Sequence, residues 1–247
     1  MHKKKLFLEL LGKYEGKRCF IIGNGPSLRM TDLDLLHKNQ EYSFGANRIY
    51  VSFTDTKWRP TFYCIQDGAM ILQYHDEIER LKIEHKFVSD YAYLKLGDKP
   101  VKSAIMFHLD VQRYFPYFPG FSPDPSVVIY EGFTVTYAEI QMAAYMGFKE
   151  IYLLGVDFNY SAYVDIGGKV ELSSTADYFS EKYMSKEENR NLPQLHNSLQ
   201  AYKMAAIYSK ENGFRIYNAT RGGKLEVFER VDFDSLFPND CAISDVK

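Results

Sequence analysis

A handful of short segments carry residue types that could do chemistry. The segment Gly23-Asn24-Gly25-Pro26-Ser27 follows the apolar run Arg18 to Ile22. Two glycines let the backbone come close to an anion and point N–H groups at it, Ser27 adds a hydroxyl, and Pro26 stiffens the turn. It is neither a Walker motif nor the dinucleotide Gly-x-Gly-x-x-Gly, because the lysine and the third glycine are missing. The same five residues would also serve as a tight strand-to-helix turn with no ligand, and spacing alone does not separate the two readings.

Similar residue types end other apolar runs: Gly45-Ala46-Asn47, Gln66-Asp67 and Gly155-Val156-Asp157-Phe158. Small, carboxamide and carboxylate residues at the carboxyl ends of strands mark the edge where open α/β sheets bind ligands. Asp157 has three readings: a carboxylate for a ribose, a metal ligand, or a helix cap. No second carboxylate stands at a convincing metal spacing, Asp165 and Asp177 being unanchored, so no metal is expected. Of the histidines, His2, His37, His75, His85 and His108 read as surface helix or strand. His196 differs: it opens a late helix after a polar stretch and has Asn189, Asn191 and Asn197 nearby. A histidine there is positioned for proton transfer near neutral pH, or it is a solvent-exposed or capping residue.

The elements that must position these residues alternate. Strands are predicted at Arg18–Ile22, Tyr42–Ala46, Thr61–Ile65, Lys86–Ser89, Ser103–His108, Val127–Tyr130, Glu150–Leu154 and Phe214–Asn218. A helix capped by Thr31 carries Leu33, Leu35 and Leu36, and another runs from about Ala69 to Leu81. Val135, Ala138, Met142 and Tyr145 form a single helical stripe that ends at Gly147. Leu199, Tyr202 and Ala206 mark the late helix, stopped by Gly213. Tyr114 to Pro125 has too many prolines for a long helix and reads as an ordered loop. The fold class is therefore α/β: a Rossmann-like, mostly parallel sheet with helices on both faces. Residues 17–158 and 194–230 form that domain, 159–193 a lid or acceptor-binding excursion, 1–16 an amphipathic N-terminal segment, and 231–247 a C-terminal tail.

The chain has 247 residues, enough for one large domain with a sizeable core. Its 30 basic and 32 acidic residues leave a net charge of −2, which argues against a nucleic-acid surface. The three cysteines, Cys19, Cys64 and Cys241, match no zinc pattern, and no secretory signal precedes them; reduced thiols in a cytoplasmic protein are expected. The N-terminal mix of lysines and leucines is too short to span a bilayer. It reads as a helix packed on the domain, or as a basic foot on an anionic inner-membrane surface.

Taken in order, the motifs Ile21-Ile22-Gly23-Asn24-Gly25-Pro26-Ser27-Leu28, Asn47, and Met146 through Phe158 with its Gly155-x-Asp157-Phe158 ending resemble the bacterial sialyltransferases of glycosyltransferase family 42. They also resemble a wider group of domains related to the archaeal 6-hydroxymethylpterin diphosphokinase, found in surface-polysaccharide and flagellin-glycosylation systems. The resemblance covers roughly residues 17 to 220. It implies a glycosyltransferase that takes a sugar from a nucleotide-activated donor, CMP-linked in the sialyltransferases, and passes it by direct displacement to a glycan acceptor. It implies no cofactor beyond that donor. Asn24, Gly25, Ser27, Asn47, Gln66, Asp67 and Thr134 would then face the donor. Gly155, Asp157 and Phe158 would hold its nucleoside, Tyr163 would touch the phosphate from the lid, and His196 would be the general base. A homo-oligomer is the remaining partner expectation. Two positions depart from the family: Glu131-Gly132-Phe133 replaces the neighbourhood of an arginine, and Pro193 replaces a tyrosine. Both leave room for another activated sugar. Two other functions stay open, an ATP-dependent pyrophosphoryl transfer of the pterin type and a non-catalytic nucleotide-binding module of a polysaccharide pathway.

Overall fold

The computed structural model describes residues 2–96, 100–183 and 192–238. In chain order its elements are α1 (His2–Leu8), β1 (Arg18–Ile22), α2 (Met30–Lys38), β2 (Ser43–Ala46), β3 (Phe62–Ile65), α3 (Gly68–Gln73), α4 (His75–Arg80), β4 (His85–Ser89), α5 (Tyr91–Leu96), β5 (Ile105–Phe107), β6 (Leu109–Asp110), β7 (Ile129–Tyr130), α6 (Val135–Tyr145), β8 (Glu150–Leu154), β9 (Ala162–Val164), β10 (Val170–Leu172), α7 (Leu195–Glu211), β11 (Arg215–Asn218) and β12 (Glu229–Arg230). Eight strands form one sheet in the order β12-β11-β8-β1-β2-β3-β4-β5, and every adjacent pair is parallel.

The parallel sheet explains why its strands read as apolar runs. Buried on both faces, each strand sends alternate side chains into two separate cores. Cys19 and Ile21 of β1 enter the core built with α6, α7 and α1, while Phe20 and Ile22 enter the core built with α2, α3 and α4. Aromatic residues fill much of both, with Phe44 stacked on Phe62 at 4.5 Å and Tyr14 on Phe148 at 4.9 Å. Cys19 and Cys64 are buried free thiols, and burial pushes both pKa values up; Cys241 lies outside the described residues. The N-terminal segment lies against the domain, with Phe7 and Leu10 buried and Phe7 meeting Phe87 at 5.7 Å. Among the described residues no helix is long and apolar enough to cross a membrane.

Several boundaries differ from expectation. The helix from Ala69 to Leu81 is two helices, broken at Tyr74, whose ψ of 24° leaves the helical region. The cap of α2 is Arg29 rather than Thr31; the Arg29 amide donates to Asp32 Oδ2 at 3.2 Å. Helix α7 begins at Leu195, so His196 lies inside its first turn instead of ahead of it. The stretch 159–193 contains an antiparallel hairpin, β9 with β10.

β1 is the switch point of the sheet. From it the chain runs to β2, β3, β4 and β5 on one side, and β8, β11 and β12 fill the other. In such sheets the crevice beyond the carboxyl ends at the switch is the place for a ligand.

Candidate functional site

A cleft of about 580 Å³ opens at that place. The turn after β1 supplies Gly23, Asn24 and Gly25; Asn47 follows β2, Gln66 and Asp67 follow β3, and Gly155 through Phe158 follow β8. The segment before and into α6 contributes Glu131 and Phe133 to Thr136, and α7 contributes Tyr202. Thus Asn24, Gly25, Asn47, Gln66, Asp67, Thr134, Gly155, Asp157 and Phe158, among the residues singled out from the sequence, line one cleft. Ser27, Tyr163 and His196 are not among the lining residues.

Each of those three has a local reason. Ser27 Oγ donates to Asp157 Oδ2 at 2.8 Å, and the Ser27 amide reaches the same oxygen at 3.4 Å. Ala162 and Val164 of β9 line the cleft, so strand alternation turns Tyr163 to the opposite face. His196 stands edge-on to the Phe115 ring at 5.1 Å. Its Nε2 lies 3.2 Å from Asn197 Nδ2, and among the described residues its buried Nδ1 has no hydrogen-bond partner. Asn189 and Asn191 lie outside the described residues.

The glycine turn is not an open row of amides. Gly23 N donates to Leu154 O at 2.8 Å and Gly25 N to Gly155 O at 2.9 Å, so both are spent on the turn after β8. The glycines are needed for close packing. A Cβ on Gly23 would lie 2.3 Å from Gly155 O, and one on Gly25 would lie 2.0 Å from Asp157 Oδ2. Asp157 is thereby a brace that holds the turn after β1 to the turn after β8. Burial raises its pKa, and the Ser27 bonds offset part of that rise.

Free donors occur instead at the start of α6. The amides of Val135 and Thr136 have no partner among the described residues, and Thr134 does not cap them; its Oγ1 meets Tyr202 Oη at 3.3 Å. An uncapped N-terminus of an 11-residue helix that opens into a cleft favours an anion. Free acceptors occur beside it. Asn24 Oδ1, Asn47 Oδ1 and Gln66 Oε1 are buried and without a donor among the described residues, although Asn24 Nδ2 donates to Ala46 O at 3.2 Å and Gln66 Nε2 to Glu131 O at 3.3 Å. Buried acceptors left unpaired are costly, and a ligand rich in N–H or O–H groups relieves them.

Backbone strain gathers here as well. Asn47, Phe133 and Phe158 line the cleft with φ of 52°, 55° and 52°. A non-glycine residue held in this region costs on the order of 1–3 kcal/mol and is kept where the surroundings over-determine it.

Glu131 was visible in the sequence only as a departure from a family pattern. It lines the cleft, and its carboxyl is pushed up to about 7 by burial, then by Asp67 and Asp110. Arg113, exposed at the mouth, has no ion pair among the described residues. No group of three His, Cys, Asp or Glu side chains suited to a metal ion occurs among the described residues.

A family model described as 6-hydroxymethylpterin diphosphokinase MptE-like matches residues 1–162, and the chain belongs to that family. Among solved structures it is similar to a Maf glycosyltransferase from Magnetospirillum magneticum AMB-1, with 16% identity and a TM-score of 0.54. The match covers 91% of this chain and 35% of that one, so the chain spans about a third of that protein's length. That likeness is one of fold. No curated protein matches.

Proposed function

We propose that this MptE-like chain is a glycosyltransferase that holds a nucleotide-linked sugar in the cleft and passes the sugar to a hydroxyl of a bacterial surface glycan. The observation that carries this reading is the pairing of free helix-start amides at Val135 and Thr136 with three unsatisfied carboxamide oxygens, on Asn24, Asn47 and Gln66. The amides suit a phosphate, and the carboxamides suit the hydroxyls of a sugar or the amino group of a base. A fold shared with a glycosyltransferase supports it. The resemblance to sialyltransferases makes a CMP-linked donor the first to try, in a cytoplasmic setting.

In the transfer so read, the acceptor oxygen attacks the anomeric carbon. The bond from that carbon to the phosphate oxygen breaks, with its electron pair staying on the phosphate, and the acceptor proton passes to His196, which stands outside the lining beside Pro193 and Gln194 and must turn its ring away from Phe115 to receive it. Amides at the start of α6 stabilise the departing charge. His196→Ala is then expected to abolish transfer while nucleotide binding survives; undiminished transfer would remove His196 from this role.

The family description favours a second reading, a diphosphokinase acting on a pterin with ATP and magnesium. A thermal-shift screen of CMP, CDP, UDP, GDP and ATP, with and without magnesium, separates the two, because a ligand that binds only the folded state raises Tm. Stabilisation by a cytidine nucleotide without magnesium supports the transferase. Stabilisation by magnesium-ATP alone, followed by ATP consumption with a pterin, supports the kinase.

A further inference from the structure

Among the described residues four carboxyl side chains line the cleft: Asp67, Glu131, Asp157 and Asp177. Three are engaged. Asp67 Oδ1 caps α3 by accepting from Met70 N at 3.0 Å, Asp157 braces Ser27, and Asp177 Oδ2 accepts from Ser161 Oγ at 2.7 Å. The Glu131 carboxyl has no partner among the described residues, though its main chain is fixed: its N–H donates to Asp110 O at 3.0 Å and its carbonyl accepts from Thr134 N at 3.4 Å. It does not cap α6, whose first amides open into the same cleft. Gln66, only 7% exposed, is tied to the Glu131 carbonyl and presents an oxygen with no donor there. The elements around Glu131 therefore expect a ligand.

The charges that face it make an ionised Glu131 a poor neighbour for that ligand. Asp67 comes from the end of β3 and Asp110 from β6, while Tyr114 lies close enough for Asp110 and Glu131 both to raise its pKa. Asp157 and Asp177 also border the cleft, and among the described residues Arg113 is the cation at its mouth. A phosphate brought to the start of α6 would meet one carboxylate too many. A neutral carboxylic acid removes that charge and gains an O–H donor.

We infer that Glu131 is a proton-coupled phosphate subsite: it binds as the neutral acid, donating its O–H to a phosphate oxygen of the nucleotide ligand, so that the ligand enters the cleft together with one proton. This rests on the reading of the cleft as a nucleotide site. It gives that site a pH dependence that neither the amides nor the carboxamides have. With the free carboxyl at about 7, affinity falls toward tenfold for each pH unit above that, and by pH 8.5 it is about 30-fold below its low-pH limit and about 16-fold below its value at pH 7. A phosphomonoester loses its second proton near pH 6, so the fall above 7 belongs to the protein.

The test is calorimetric titration of the full chain with CMP, and with sulfate, whose charge is constant over the range, as a second probe, from pH 7 to 8.5. Buffers of different ionisation enthalpy count the protons taken up, with and without magnesium. Wild type is expected to take up a proton on binding and to weaken with pH. Glu131→Gln, a permanently neutral stand-in, is expected to take up none, to bind with the same affinity across the range, and to exceed wild type at pH 8.5 by at least tenfold. Asp67→Asn, which removes the carboxylate that raises the Glu131 pKa more than Asp110 does, is expected to lower the pH at which affinity begins to fall; it keeps the test open should Glu131→Gln not fold. Binding with no proton uptake, uptake that persists in Glu131→Gln, or binding that needs magnesium in place of the proton would overturn the inference and leave the nucleotide site standing. If neither probe binds at any pH, the nucleotide reading and this subsite fall together.

Discussion

Replacing Gly23 by alanine tests the junction on which the cleft is built. The new Cβ would sit 2.3 Å from Gly155 O and 2.8 Å from its carbonyl carbon, both main-chain atoms that no rotamer change can move. Carbon–oxygen contacts shorter than about 3.3 Å are not comfortable, so the two turns must part by about 1 Å. That movement lengthens Gly23 N to Leu154 O, now 2.8 Å, and Gly25 N to Gly155 O, now 2.9 Å, beyond useful range. Two backbone hydrogen bonds at about 1 kcal/mol each, with about 1–3 kcal/mol for overpacking, give a loss of about 3–5 kcal/mol. Against a typical total of about 5–15 kcal/mol this is large. Urea denaturation followed by circular dichroism measures it: with m of about 1–3 kcal/mol/M, the midpoint should drop by more than about 1 M. Gly168→Ala is the control, since nothing lies within 4 Å of its Cβ and only its φ of +84° opposes the change, for about 1–2 kcal/mol. A Gly23→Ala midpoint equal to that of Gly168→Ala would refute the reasoning, because it would mean the close approach of the two turns carries no stability.

Other outcomes follow from the same geometry. Gln66→Leu removes an orphaned oxygen together with a single 3.3 Å bond, so folding stability should change by less than about 1 kcal/mol while nucleotide affinity falls at least tenfold; equal loss of both would make Gln66 a merely structural residue. Glu139 is fully buried, both its carboxyl oxygens have no partner among the described residues, and burial raises its pKa well above 4.5. The folded state therefore binds the proton more tightly than the unfolded one, and stability is full below about 4.5 and falls as pH rises through the folded value. Glu139→Gln should flatten that fall between pH 5 and 8 in thermal melts; a wild-type curve already flat over this window would show that Glu139 ionises at no cost. Asp157→Asn leaves the volume unchanged but weakens the acceptor of the Ser27 bonds, and should cost about 1–2 kcal/mol in denaturant melts; an unchanged midpoint would show that the brace is not needed.

The sequence makes the sheet legible and leaves much of the site hidden. Parallel strands buried on both faces become short apolar runs, so β1 and β8 lie where those runs stand, and strand ends rich in Gly, Asn, Gln and Asp point to the ligand edge. Tyr74 joins two helical stretches with no proline or glycine to mark the break, and the β9–β10 hairpin is half exposed, without the alternation that announces a strand. Asp157 and Ser27 are 130 residues apart, and nothing in either segment says that they spend their hydrogen bonds on each other. The Gly-Asn-Gly-Pro-Ser turn suggests amides offered to a phosphate, whereas its glycines serve close packing and the free amides belong to α6. Glu131 stands in a short segment with no motif of its own; only the meeting of β3, β6 and α6 gives its carboxyl an unusual environment.

The most direct measurement is calorimetric titration of the wild-type chain and of Asn24→Ala with CMP at pH 7.0 without magnesium. The account predicts saturable one-to-one binding by wild type and at least tenfold weaker binding by the variant, with both proteins melting within a few degrees of each other. Wild type that binds no CMP, or a variant that binds it as well as wild type does, would contradict the claim that this cleft is a site for a CMP-linked donor.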